Sequence, residues 1–289
     1  MCCTFTESKM SNTRIYVGEA HRQGKLVHVL AYQNAALSNR PNAMVLPFPT
    51  SVKMGQDNVI DTRKFKNFLE DISNASKSIT KGGDRRSMML GSRGFDRDEL
   101  AEVFDSGSYT IVLATNVWQI PEALARVPVE KRPNVTSDFL IGYNELYPDQ
   151  PIAVCCWNGA IEAEPLMWWY EPSNSESLFI PTMDAHNGKA PKIGERVETD
   201  HIISVGSTKI IGNLGYHVKY SQSKNIPDDV KELLPLDVHG SKLPSRLENG
   251  DCLVKTVALH STREQLFSGG SPAVEIKRGK FSTVMNGWS

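Results

Sequence analysis

The chain has 289 residues, 40% of them hydrophobic and 22% charged, with a formal net charge of −1. That length suffices for one large domain or two small ones, and the balance excludes wholesale disorder. A total so close to neutral removes the electrostatic reason to expect DNA or RNA as the main partner.

The chain opens Met1-Cys2-Cys3-Thr4-Phe5. Thr13–Glu19 and Leu26–Tyr32 are β-branched, aromatic and alternating, and His21-Arg22-Gln23-Gly24-Lys25 between them is polar with a glycine. This is a hairpin signature. Ala43-Met44-Val45-Leu46 reads as a third strand, closed by Pro47 and Pro49, since proline cannot donate to a sheet ladder. An antiparallel meander over Cys2–Pro49 is the expected result.

Phe65, Phe68, Leu69 and Ile72 fall at helical spacing, with Asp61 or Thr62 placed to cap a helix over Asp61–Ile72. Residues 73–98 are polar, glycine-rich and locally basic, and read as a long mobile loop. Asp98–Phe104 reads as a short helix and Ser108–Ala114 as a strand. Helices follow around Ile120–Val127, with Pro121 in its first turn, and over Ser137–Leu146, with Phe139, Leu140, Tyr143 and Leu146 as its stripe. Ile152–Trp157, Pro165–Tyr170 and Leu178–Met183 read as strands, as do Asp200–Ser207 and Tyr216–Tyr220. Asp228–Leu234 reads as a short helix and Leu253–Leu259 as a strand or buried segment.

Short strands with interspersed helices indicate an α+β protein with a mixed or mainly antiparallel sheet and flanking helices. The expected organisation is a single domain over residues 1–267 with a loosely attached tail at 268–289.

No apolar run approaches the about 20 residues of a membrane span. The N-terminus lacks the basic and apolar regions of a signal peptide, since Glu7 and Lys9 come too early. A cytoplasmic protein is the resulting expectation. The five cysteines, arranged as Cys2-Cys3, Cys155-Cys156 and Cys252, fit reduced thiols. On a strand, Cys155 and Cys156 point to opposite faces, so the two pairs do not suit one zinc ion.

Two constellations carry candidate chemistry. In the first, removal of Met1 would leave Cys2 with a free α-amino group as a built-in base. Arg14 could lower the thiol pKa, and Asn34 or Asn42, at the ends of the second and third strands, could donate to an oxyanion. In the second, Asp184-Ala185-His186-Asn187-Gly188 follows one strand and Asp200-His201 opens another. Asp and His so spaced can meet as metal ligands, or as a base with its orienting acid. His217 is a further candidate for that group. Asp184, Asn187 and Gly188 are also ordinary turn formers. Trp168, in the aromatic cluster Trp168-Trp169-Tyr170, reads as core packing or as a surface for ligand stacking.

The Met-Cys opening followed by a strand meander resembles the cysteine branch of the N-terminal-nucleophile hydrolases. That resemblance implies an αββα sandwich with Cys2 as nucleophile for amide cleavage. Cys3 departs from the small residue common there. The hairpin followed by Asn42–Pro49, containing Val45-Leu46-Pro47-Phe48-Pro49, is similar to uncharacterised bacterial and viral proteins with a "VLPxP" opening, and implies no activity.

Three functions therefore stand at the level of sequence. One is a cysteine hydrolase of amide or related acyl bonds, taking a small-molecule or peptide substrate. The second is a non-enzymatic structural or binding protein, for instance a viral component, in which Trp118, Trp157, Trp168 and Trp169 form core or contact surfaces and either self-association or a specific partner is expected. The third is a metal-assisted hydrolase at Asp184, His186, Asp200 and His201. No cofactor and no membrane partner is called for.

Overall fold

The computed structural model describes residues 2–76, 100–207 and 216–256, except for the side chains of Cys2, Ser241 and Lys255. Most of the expected loop at 73–98 and all of the expected tail at 268–289 lie outside the described residues. Residues 73–76 close a helix.

Two mixed sheets dominate. The six-stranded sheet contains β1 (Cys2–Thr4), β4 (Asn42–Pro47), β6 (Glu102–Ser106), β7 (Tyr109–Ala114), β8 (Ile152–Trp157) and β12 (Asp184–Ala185), in the order β12-β1-β4-β8-β7-β6. The eight-stranded sheet contains β2 (Lys9–Arg22), β3 (Lys25–Leu37), β5 (Val59–Ile60), β9 (Ala160–Glu162), β10 (Leu166–Tyr170), β14 (Ile202–Ser207), β15 (Tyr216–His217) and β16 (Asp237–Lys242). Its order is β15-β16-β14-β2-β3-β10-β5, with β9 also on β3. Two-stranded ribbons pair β11 (Ser177–Ile180) with β18 (Cys252–Lys255), and β13 (Arg196–Glu198) with β17 (Arg246–Glu248). β1/β12 and β14/β2 are parallel and the other pairs antiparallel. The α+β class with mixed sheets holds.

The β2–β3 hairpin forms as its sequence dictates. Gln23 and Gly24 both take positive φ, which a two-residue turn of this twist requires. The expected meander over Cys2–Pro49 does not stay in one sheet. β4 leaves the hairpin and pairs with β1 and β8 instead. Its residues are buried along their whole length, so β4 is a central strand and cannot be an exposed meander edge.

Alternation along β3 shows how the layers stack. Leu30 and Tyr32 join the core that includes the six-stranded sheet, while Val27, Val29 and Ala31 join a second core with α1 (Phe68–Ala75) and α4 (Asp228–Lys231). Each such side chain contributes on the order of 1.5–3 kcal/mol by leaving water. The six-stranded sheet behaves likewise. Met44 faces Asn34 of β3, whereas Phe5, just after β1, meets Phe139 of α3 (Ser137–Leu146) at 4.9 Å between ring centroids. α2 (Ile120–Leu124) lies against β7. Thr136 caps α3 by accepting from the Phe139 amide.

Two helix expectations change. α1 starts at Phe68, not Asp61, because the Thr62 hydroxyl donates to the Pro165 carbonyl across the fold and Asp61 pairs with Arg63. Tight turns from Thr62 to Phe65 and from Phe65 to Phe68 fill the gap. Around residue 102 the expected short helix is the strand β6, which returns into β7 through Gly107 at φ +56°. No helix among the described residues is long and apolar enough to cross a membrane.

Candidate functional site

Where β12 at the edge of one sheet approaches β2 and β14 of the other, a cleft of about 930 Å³ opens. Asp184, His186, Asp200 and His201 all line it, together with Thr13, Glu198 and Arg246. The second of the two sequence constellations therefore converges on one place.

Each side chain is set by its own element. Asp184 sits on β12, 4% exposed, with its backbone held at both N–H and C=O by the Asn249 amide. The turn that follows returns against the chain after β1. Ser8 N–H donates to the His186 carbonyl, and Glu7 bridges Asn187. This brings His186 Nε2 to 2.6 Å from Asp184 Oδ1. His201 immediately precedes β14, 1% exposed, with Nε2 4.0 Å from Asp184 Oδ2. Burial pushes the His201 imidazole well below the ordinary histidine range, so the ring is neutral. Asp200 accepts from the Asn12 amide, a residue at φ +56° in the β2 bulge. Glu198 pairs with Arg246 at 2.8 Å across the β13/β17 ribbon. Among the described residues, no group of three His, Cys, Asp or Glu side chains is placed to hold a metal ion.

The other sequence candidates lie in different surroundings. Cys2 is the in-register partner of Asp184, with its side chain outside the described residues. Arg14 is on β2, opposite Ile202 and Gln33. Asn34 is buried, accepts from the Tyr109 hydroxyl and touches the sulfurs of Met10 and Met44. Asn42 is fully buried. Its carbonyl oxygen accepts from the Thr6 and Ala43 amides, and its NH₂ donates to the Thr6 carbonyl and the Ser38 hydroxyl. His217 stands apart on β15, 3.4 Å from Asp237. Trp168 is in the core, its ring 5.1 Å from that of Phe48.

The four tryptophans discussed above divide sharply. Trp157 and Trp168 are fully buried. Trp169 donates to the Asp57 carbonyl and carries the Arg22 guanidinium over its face at 4.9 Å. Trp118 is 56% exposed, on the short turn Val117–Gln119 that packs against α3, where Ile141 is 49% exposed.

Cys3, Cys155, Cys156 and Cys252 are buried. Burial pushes Cys155 well above the ordinary thiol range and Cys156 up to about 12. Thr13, Glu198 and Arg246 are cleft residues that the sequence did not single out. The polarity of Thr13 at the start of a strand carried no signal, because the β2/β14 pairing that brings that end of β2 to the cleft is a long-range contact.

No family model matches the chain, and no curated protein matches it. Among solved structures it is similar to the crystal structure of baculovirus P35, at 16% identity with a TM-score of 0.41, over 71% of this chain and 67% of that one.

Proposed function

We propose that this chain is a non-enzymatic binding protein that docks a protein partner through the face carrying Trp118 and Ile141. The exposure of Trp118 carries the reading. An indole more than half in water, on a turn packed against the helix that carries the exposed Ile141, is a large apolar group left in solvent, and tryptophan is among the side chains that most often anchor protein contacts. The chemistry of the thiols supports it. Cys3, Cys155, Cys156 and Cys252 are buried, and burial holds Cys155 and Cys156 protonated, which makes them poor nucleophiles. The test is affinity capture with the full chain against Trp118→Arg, quantified by mass spectrometry and accompanied by sedimentation to detect a second copy as the partner. Loss of a captured protein or of self-association in the variant is the expected result. A partner set and sedimentation unchanged by Trp118→Arg would overturn it.

One observation favours a second reading, the cysteine hydrolase. Cys2 stands in register beside Asp184, whose carboxylate meets His186. A nucleophile, an imidazole and an orienting acid are the parts such chemistry needs. Intact-mass measurement decides its first requirement: retention of Met1 sinks the N-terminal-nucleophile mechanism. Loss of Met1, together with an amidase activity abolished in Cys2→Ala, would establish it.

A further inference from the structure

We propose that the inner wall of the cleft between the two sheets binds a cationic hydrogen-bond donor, a guanidinium or alkylammonium group. This site is separate from the Trp118 face and does not depend on docking there.

Two buried polar atoms at this wall are left unpaired by the protein. Thr13 and His201 are each 1% exposed, and neither Thr13 Oγ1 nor His201 Nδ1 has a hydrogen-bond partner. Both residues line the cleft. Ile202 pairs with Arg14 at the end of the parallel β14/β2 ladder, and His201 and Thr13 are the residues just before that pair. A buried polar atom without a partner costs about 1–3 kcal/mol, and two on the wall of one cleft are a standing demand for a ligand group.

The kind of group follows from what the wall offers. The His201 ring is neutral, with one nitrogen protonated and the other an acceptor. Its Nε2 faces the Asp184 carboxylate, which favours the proton there and leaves Nδ1 as the acceptor. Thr13 Oγ1 accepts as well. Beside them stands Asp184, 4% exposed. Asp200 and Glu198 add negative charge further out, and the Arg246 cation is tied to Glu198. Acceptors and a carboxylate therefore line the same inner wall, and the three carboxylates Asp184, Glu198 and Asp200 outnumber the two basic side chains Lys9 and Arg246 along the cleft. The described Asp and His side chains lack metal-holding geometry, so the complementary ligand is an organic cation with several N–H donors.

Calorimetric titration of the full chain tests this with N-acetyl-arginine amide and n-butylammonium as probes. N-acetyl-citrulline amide serves as the neutral isostere and N-acetyl-glutamate amide as the anion. Saturable binding of a cation is expected, weaker by at least about tenfold for citrulline and for Asp184→Asn, and by roughly threefold or more for Thr13→Val. A capped peptide with a central arginine that binds more tightly than the amide would place the natural source in a protein, and equal binding would place it in a small solute. No saturable binding up to about 10 mM, or equal binding of arginine and citrulline by the unmodified chain, overturns the proposal whether or not the variants fold. This titration reads a small cation and the capture experiment reads a macromolecule, so the two proposals fail separately.

Discussion

His186 Nε2 lies 2.6 Å from Asp184 Oδ1, and the two residues belong to a turn held against the chain that follows β1. The pair is therefore positioned by backbone contacts between distant segments: Ser8 to His186, Glu7 to Asn187, and Cys2 to Asp184. The imidazole and the carboxylate meet because two edges of the fold meet.

Gly188 is the point where that arrangement is most sensitive. It has φ +74°, and a Cβ there would lie 2.8 Å from the Phe5 carbonyl oxygen and 3.1 Å from Thr6 Cα. Both the backbone conformation and the space demand glycine. Gly188→Ala is expected to destabilise the protein by about 1–3 kcal/mol and to weaken binding of cationic probes in the cleft. Urea denaturation with the titration described above checks it. An unchanged midpoint would show that the turn relaxes freely.

His28 is fully buried, in edge-to-face contact with Tyr170 and in register opposite Glu19. Burial lowers its pKa from 6.5 to about 3, so the folded state holds it neutral. The unfolded chain binds a proton below 6.5, and stability is lost as pH falls from there towards 3, by on the order of 4–5 kcal/mol at most from this residue. His201, also pushed down by burial, adds to the same slope. Denaturation midpoints across that window should fall steadily, and His28→Leu should flatten part of the dependence. A slope unchanged in His28→Leu would contradict the assignment.

Most of the fold was legible where periodicity and turn chemistry agreed. The β2–β3 hairpin, β4, β7, β8, α2 and α3 follow from alternation, Gln23-Gly24, Pro121 and the Phe139–Leu146 stripe. Two kinds of feature escaped. Sheet membership is a long-range property, so nothing within Cys2–Pro49 announces that β4 joins β1 and β8. Local pattern also loses to tertiary demand: Thr62 donates to Pro165 in place of capping a helix, and residues 102–106 pair with β7. In the site, Asp184, His186, Asp200 and His201 were readable as Asp–His clusters at strand ends. Thr13 was not, because its place on the cleft wall depends on a parallel strand pairing with residues almost two hundred positions away.

Asn42 illustrates a polar residue whose hydrogen bonds are all internal. Its amide ties β4 to Thr6 and Ser38 from a fully buried position. Asn42→Ala leaves those groups unpaired and is expected to destabilise by about 2–4 kcal/mol. Asn42→Asp keeps the acceptor and removes the donors, so it should also destabilise, and more strongly above the carboxylate range where a buried charge faces the Thr6 carbonyl. Thermal melts at two pH values separate the two variants. A wild-type melting temperature in Asn42→Ala would show that the amide has no part in holding these strands.

Thiol chemistry separates Cys2 from the rest. Cys3, Cys155, Cys156 and Cys252 are buried, and burial holds Cys155 and Cys156 protonated far above neutral pH. A disulfide reagent attacks thiolates, so these sulfurs are protected twice, by access and by protonation. In native protein near pH 8, at most one of the five cysteines should react quickly, and all five should react once the chain is denatured. Cys2→Ser should abolish any fast native phase and leave the denatured count at four. Two or more fast thiols in the native protein would mean that at least one of the four buried sulfurs is open to solvent, against the burial described for it.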